Sequence, residues 1–175
     1  LLTVADRVEP SMWNRSPELL SNMDLQGEYQ KKNLRTVLAA LDVLSSLGLI
    51  SVDEEIYEDA IVHTASRTGF RGRWEKVSDD PWVICDIGHN EHGLRYNFAQ
   101  LDVMLNSGKC SHLIIVYGSV ADKDVDASIH LMPENAYYIF TCATGKRALP
   151  AEIARDKYLS FCASAGREPG DVRRC

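Results

Sequence analysis

The second half of the chain alternates between two hydrophobic periods, and that alternation limits the folds open to it more than any other feature. Trp82, Val83, Ile84, Cys85 and Asp86 make a short apolar run, after which Leu94, Phe98, Leu101 and Leu105 recur at helical spacing. A second run covers 113–117, a short helical stretch surrounds 127–131, and a third run covers 137–140. Pro150 then stands where a helix would open, and Ala154, Tyr158, Phe161 and Ala165 follow at helical spacing before Gly166. Three strands separated by helices result. Beyond Gly166 the sequence runs on to Arg173-Arg174-Cys175 without another clear strand pattern, which reads as a sheet truncated at its end.

Near-continuous apolar strands of this kind are usually parallel, because a parallel neighbour is reached through a crossover helix and such helices cover the sheet on both faces. The pattern predicts an α/β fold: a Rossmann-like, open, mostly parallel sheet with helices on both faces. The first half is different. Leu34, Val37, Leu38, Leu41 and Leu44 mark a helix over 31–47 with a stop at Gly48, and a second helix is expected over 52–61, with Asp53, Glu54 and Glu55 in its first turn. Between the halves, the polar stretch 64–69 has the composition of a hinge. The expected organisation is a helical segment 1–65, a linker 66–72 and an α/β domain 73–175.

Composition narrows function by exclusion. A formal charge of -6 over 175 residues argues against a nucleic-acid partner, which calls for a basic stripe. No run approaches the ~18 apolar residues of a membrane helix, and the first residues lack the basic and apolar regions of a signal peptide. Five cysteines without C-x-x-C spacing suit a reduced, cytoplasmic setting, with Cys85 and Cys142 read as small core residues in or beside strands. His63, His92, His112 and His130 form no recognisable ligand set, so no metal site is expected in this segment. There is no G-x-x-x-x-G-K-[ST], G-x-G-x-x-G or G-x-S-x-G sequence, which argues against nucleotide hydrolysis by this segment alone and leaves it without an assigned catalytic residue.

The candidate chemistry lies in loops that follow strands, where an open parallel sheet gathers ligands. Asp86-Ile87-Gly88-His89-Asn90 follows the first run. A carboxylate there can accept from ribose hydroxyls, a glycine permits close backbone approach, and His89 and Asn90 can donate to phosphate or base. The same residue types also make turns and helix caps, so Asp86 or Asn90 serving only as an N-cap is the competing reading. Gly118-Ser119-Val120-Ala121-Asp122-Lys123-Asp124 follows the second run, with Asp122 and Lys123 as possible loop contacts or as a solvated turn. Arg73, beside Gly72 and Trp74, has a guanidinium suited to phosphate or to stacking on a purine, or is a surface arginine; Lys146-Arg147 is similarly ambiguous.

Taken in order, three segments resemble the folylpolyglutamate/dihydrofolate synthase family of the Mur ligase superfamily. Leu25-Gln26-Gly27-Glu28-Tyr29-Gln30-Lys31-Lys32-Asn33 is similar to the L-x-G-x-[HY]-Q-x-x-N segment near the end of that family's central ATPase domain. Gly72-Arg73-Trp74-Glu75 is similar to the lead-in of its C-terminal domain, and Asp86-Ile87-Gly88-His89-Asn90 to the D-x-A-H-N loop; the Asp122-Lys123-Asp124 turn also matches. Gly88 stands where alanine is usual, Tyr29 where histidine is common, and Glu91 where proline is common.

The resemblance implies the helical end of an ATPase domain followed by a Mur ligase C-terminal domain, from an enzyme that adds L-glutamate to a folate or dihydropteroate through an acyl phosphate. It implies ATP and Mg2+ as cofactors, with the phosphate loop and magnesium ligands upstream, and small-molecule partners acting on a monomer, so this segment is expected to be inactive alone. By motif position, Asn33 is expected at the adenine, Arg73 at the nucleotide, Asp86 at the ribose and His89 near the phosphates, with Gly88, Asn90, Asp122 and Lys123 as further loop contacts. The expected logic is that a hinge-linked domain supplies these groups only on closing, which excludes water from the acyl phosphate and assembles the site. A cell-wall peptide ligase of the same superfamily and a non-catalytic Rossmann-like nucleotide-binding or regulatory domain are the alternative readings.

Overall fold

A computed structural model describes residues 4–51, 53–169 and 172–174. They divide by packing into two units, Leu1–Ile87 and Gly88–Cys175, so the loop that follows Cys85 is shared, with Asp86 and Ile87 in the first unit and Gly88 to Asn90 in the second.

The first unit is built on helices α1 (Ser16–Asn22), α2 (Gln30–Ser46), α3 (Glu54–Val62) and α4 (Thr64–Thr68). Amphipathic spacing on α2 turns Leu34 and Leu38 into a core with Met12, Leu19, Met23 and Ile61, whereas Val37 and Leu44 of the same periodic set stay exposed. Gly48, just past the end of α2, takes the left-handed conformation at φ 68°, as a helix stop requires. Asp53 caps α3 by accepting from the Ile56 amide at 3.3 Å, and the rest of the acidic turn sits where the helix dipole favours it. Val52 lies outside the described residues. The polar stretch read as a hinge contains α4, whose first turn is held by Asp24: its carboxylate accepts from the Ala65 amide at 3.0 Å and from the Ser66 amide at 2.8 Å.

Strand β1 (Glu75–Asp79) and strand β2 (Trp82–Cys85) close this unit as an antiparallel hairpin, with a register shift between Lys76 and Ser78. This corrects the expected topology. The run at 82–86 is not paired in a parallel sheet; its described partner is β1, which the sequence reading missed. The Glu75-Lys76-Val77-Ser78-Asp79 segment has one apolar residue and no alternation, so only long-range pairing reveals it as a strand.

The second unit contains α5 (Glu91–Asn106), β3 (Ile114–Tyr117), α6 (Val125–Ile129), β4 (Tyr137–Phe140), α7 (Ala151–Ala165) and β5 (Val172–Arg174). The three strands pair in parallel in the order β3-β4-β5. Strand β5 corrects the expectation that no strand follows the last helix; Val172, Arg173 and Arg174 carry little apolar signal, and their pairing with Tyr138, Ile139 and Phe140 defines them.

Ile115, Tyr117, Tyr138 and Phe140 bury one face of this sheet against α5, α6 and α7 residues including Phe98, Ile129, Ala154, Tyr158 and Cys162. The other face is open: Ile114 is 63% exposed, Val116 65% and Tyr137 45%. Helices on both faces were expected, and the winding explains the difference. Right-handed crossovers that add strands always in one direction place their helices on the same face. Two cysteine readings also change, since Cys85 and Cys142 are exposed, whereas Cys162 is buried. No helix among the described residues is long and apolar enough to cross a membrane.

Candidate functional site

The densest arrangement of candidate residues lies in the first unit, around the carboxylate of Asp86. Its Oδ2 accepts from the Tyr29 hydroxyl at 2.7 Å and from the Trp74 amide at 2.8 Å. Tyr29 immediately precedes α2, and Trp74 immediately precedes β1, so the end of β2 is tied to two other elements through one oxygen. Burial first, and then the bond to the Asp86 charge, push the Tyr29 hydroxyl well above its ordinary range, while the nearby Arg73 charge works the other way. Tyr29 is therefore a neutral donor at any physiological pH.

The chain reaches this geometry through two left-handed residues. Gly72 sits at φ 74°, and a Cβ there would lie 2.8 Å from Ile87 Cγ2; only glycine allows the Ile87 amide to reach the Gly72 carbonyl at 2.9 Å. Trp74 adopts φ 51° although it is a bulky residue, and its side chain is 92% buried. Glu75 locks the same turn by accepting from the Gly72 amide at 2.8 Å and the Arg71 guanidinium at 2.7 Å, and those donors hold its carboxyl below the usual range. Arg73 lies between Gly72 and Trp74, with its guanidinium carbon 5.6 Å from the Phe70 ring centroid.

Asn33 is exposed one helical turn beyond Tyr29, and its amide donates to Gln30 Oε1 at 2.8 Å. Thus Asn33, Arg73 and Asp86 all fall in the first unit. Within the first unit, a hydrogen bond ties Asp86 to Tyr29 at the start of α2. In the second unit, His89 is exposed, Gly88 is half-buried, and Asn90 caps α5 by accepting from the Gly93 amide at 2.7 Å. The helix-cap reading of Asn90 is thereby realised.

Asp122 and Lys123 are exposed in the loop after β3. Asp122 pairs with Arg147 at 2.5 Å, and the hydrogen bond from that guanidinium holds its carboxyl below the usual range. The same loop is bound to the loop after β4 by a bridge between Val120 and Ala148 and by the Leu149 amide donating to the Ser119 carbonyl at 2.9 Å. Gly118 starts this loop where a Cβ would meet the Thr141 carbonyl at 3.0 Å. The chemistry that sequence reasoning missed is that of Tyr29 and of the Trp74 amide. The one available signal was the tyrosine at a motif position that accepts histidine or tyrosine.

No protein-family model matches the chain. The dihydrofolate synthase/folylpolyglutamate synthase of Buchnera aphidicola subsp. Baizongia pistaciae is 30% identical over 129 residues, which cover 73% of this chain and 28% of that protein. The chain resembles the dihydrofolate synthase/folylpolyglutamate synthases. A second curated relative, the UDP-N-acetylmuramoyl-L-alanyl-D-glutamate–2,6-diaminopimelate ligase of Wolinella succinogenes, is 31% identical over 97 residues, covering 55% of this chain and 19% of that protein. Among solved structures, Mycobacterium tuberculosis folylpolyglutamate synthase complexed with ADP shares the fold, with a TM-score of 0.61 and 24% identity over 87% of this chain and 31% of that one. The chain spans less than a third of the length of each of these proteins.

The donor set in the first unit comprises the Asp86 carboxylate, the Arg73 guanidinium beside the Phe70 ring and the exposed Asn33 carboxamide, groups able to hydrogen-bond hydroxyls, phosphates or amides. It does not fit a metal. Among the described residues no group of three His, Cys, Asp or Glu side chains could hold one.

Proposed function

We propose that this chain is the C-terminal part of an ATP-dependent ligase that joins L-glutamate to a folate or a dihydropteroate. The observation that carries the reading is the 129-residue likeness to dihydrofolate synthase/folylpolyglutamate synthase, whose span includes most of this chain. The convergence of Tyr29, Trp74 and Asp86 supports it from the geometry. In domain terms, residues 1–65 would close the central ATPase domain, 66–72 link it, and 73–175 begin the C-terminal domain.

The reaction is activation of a carboxylate. A phosphoryl group passes from ATP to a carboxylate oxygen, ADP leaves, the glutamate amine attacks the acyl carbon, and phosphate departs as the amide forms. This chain's part is binding and orientation. Asp86 would accept from the ribose hydroxyls, Arg73 would contact the nucleotide, Asn33 would face the adenine, and His89 would lie near the phosphates. Gly88, Asn90, Asp122 and Lys123 would complete the surrounding loops. Groups held in place before the reaction lower its barrier chiefly by orientation and by keeping water from the acyl phosphate. Magnesium, if it serves this enzyme, would be held by residues beyond this chain.

The Wolinella likeness favours a second reading, a cell-wall peptide ligase. It covers a shorter stretch, and the Gln30-x-x-Asn33 and Gly72-Arg73-Trp74 pairings favour the folate branch. A non-catalytic nucleotide-binding module would show neither activity. The deciding measurement is ADP release by the full-length protein with L-glutamate and either dihydropteroate or a reduced folate, set against a UDP-linked muramoyl peptide with diaminopimelate. Asp86→Ala and His89→Ala should each lower turnover or raise the ATP requirement by about tenfold or more, the usual scale for losing a charged hydrogen-bonding group. Unchanged kinetics in both would refute the site assignment.

A further inference from the structure

We propose that Tyr29 is a positioning residue that preassembles Asp86 and Arg73 beside the first turn of α2 as a nucleoside half-site, formed before any ligand arrives. The proposal rests on the nucleotide reading above. Tyr29 serves two elements at once. Its carbonyl accepts from the amides of Lys32 at 3.1 Å and Asn33 at 3.4 Å, opening α2, while its hydroxyl donates to Asp86, 57 residues further along. The exposed carboxamide of Asn33 and the carboxylate of Asp86 are thus referenced to one residue.

The second donor to Asp86 explains how Arg73 joins them. The Trp74 amide that donates to Oδ2 belongs to a bulky residue held in the left-handed conformation, which such residues rarely adopt. Such a conformation persists when its surroundings over-determine it. Here they do: Gly72 is packed against Ile87 without room for a Cβ, the Ile87 amide returns to the Gly72 carbonyl, and Asp86 receives the Trp74 amide. Arg73 lies between the two constrained residues, so the point from which its side chain leaves the backbone is fixed with theirs, and its guanidinium lies over the Phe70 ring. Tyr29 keeps the receiving carboxylate in place.

A phenylalanine at this position would keep the ring and remove the donor, whereas a histidine would restore an N–H donor to a carboxylate. In the full-length protein, Tyr29→Phe is expected to raise the KM for ATP about five- to tenfold, with kcat at saturating ATP changed by less than about twofold, and Tyr29→His to return KM toward the parent value. In the full-length protein labelled with 15N-tryptophan, the Trp74 amide resonance, assigned by its loss in Trp74→Phe, should move in Tyr29→Phe and return in Tyr29→His. Asp86→Asn tests the site itself and should raise KM for ATP at least as far as Tyr29→Phe. If Asp86→Asn raises KM while Tyr29→Phe changes neither KM nor the Trp74 resonance, the positioning role is overturned and the nucleotide reading stands. If Asp86→Asn leaves KM unchanged, the nucleotide reading has failed, and this proposal fails with it.

Discussion

The two places where candidate residues gather are held in opposite ways. Around Asp86, a half-buried tyrosine, a buried tryptophan in a left-handed conformation and a glycine that admits no Cβ constrain an irregular segment from several sides. At the carboxyl edge of the parallel sheet, Asp122, Lys123 and Arg147 are all exposed, and a surface ion pair with a few backbone bonds joins their loops. Regular strands bring the second group to one edge at little cost but leave it adjustable. The first group flanks a two-stranded hairpin with a register shift and is fixed beyond it by converging hydrogen bonds and packing. A pre-formed binding surface is better served by the first arrangement, and a loop that adapts to its ligand by the second.

The largest effect that would test this contrast is a methyl group at Gly72. Gly72→Ala meets both a left-handed backbone and Ile87, and should destabilise the first unit by about 2–4 kcal/mol in urea denaturation. Gly69→Ala is its control, with a similar φ of 69° and open space around the Cβ; the expected cost is near 1 kcal/mol. Equal losses at the two sites would remove the claim that the Gly72 turn is packed rather than merely bent.

A smaller effect separates a carboxylate held by backbone amides from one in a surface ion pair by pH. Burial pushes Asp24 up, but the amides of Ala65 and Ser66 and the Ser66 hydroxyl outweigh it, so its folded value lies below the ordinary 3.8. A depressed folded value means stability that is present above the unfolded value and is lost as pH falls through the folded one. Asp24→Asn should therefore flatten the acid limb of the stability curve below about pH 4. Parallel curves for the two proteins would show that the α4 cap carries no linkage.

The smallest effect is expected at the sheet edge. Arg147→Ala removes the partner of Asp122, yet both side chains are exposed, and solvent screening should leave the melting temperature unchanged in moderate salt. A clear drop that persists at high salt would mean that the second group of loops is as rigidly built as the first.

Much of the fold was legible locally. The periodic apolar residues of α2, α5 and α7, and the runs that became β3 and β4, reflect a side-chain spacing set by helix or strand geometry alone. Pro150 and Gly166 bracket α7 for equally local reasons, a free first-turn amide and a left-handed cap at φ 65°. The candidate loops were legible too, since Asp86 and Asp122 each follow a strand. Their partners were not. Asp86 meets Tyr29 across 57 residues, and Asp122 meets Arg147 across 25, distances over which no spacing rule operates.

By itself, then, the amino-acid order determined the courses of α2, α5 and α7, the apolar runs of β2, β3 and β4, the stops at Gly48 and Gly166, and which family the chain resembles. Only the tertiary structure decided that β2 pairs with β1, that β5 joins the parallel sheet, that Ile114 and Val116 face outward, and that Cys85 and Cys142 are exposed. The physical reason is the range of the forces involved. Backbone propensity and capping act within a turn or two of the chain, whereas strand pairing and burial depend on which distant segments arrive alongside, and that is settled by the free energy of the whole packed unit.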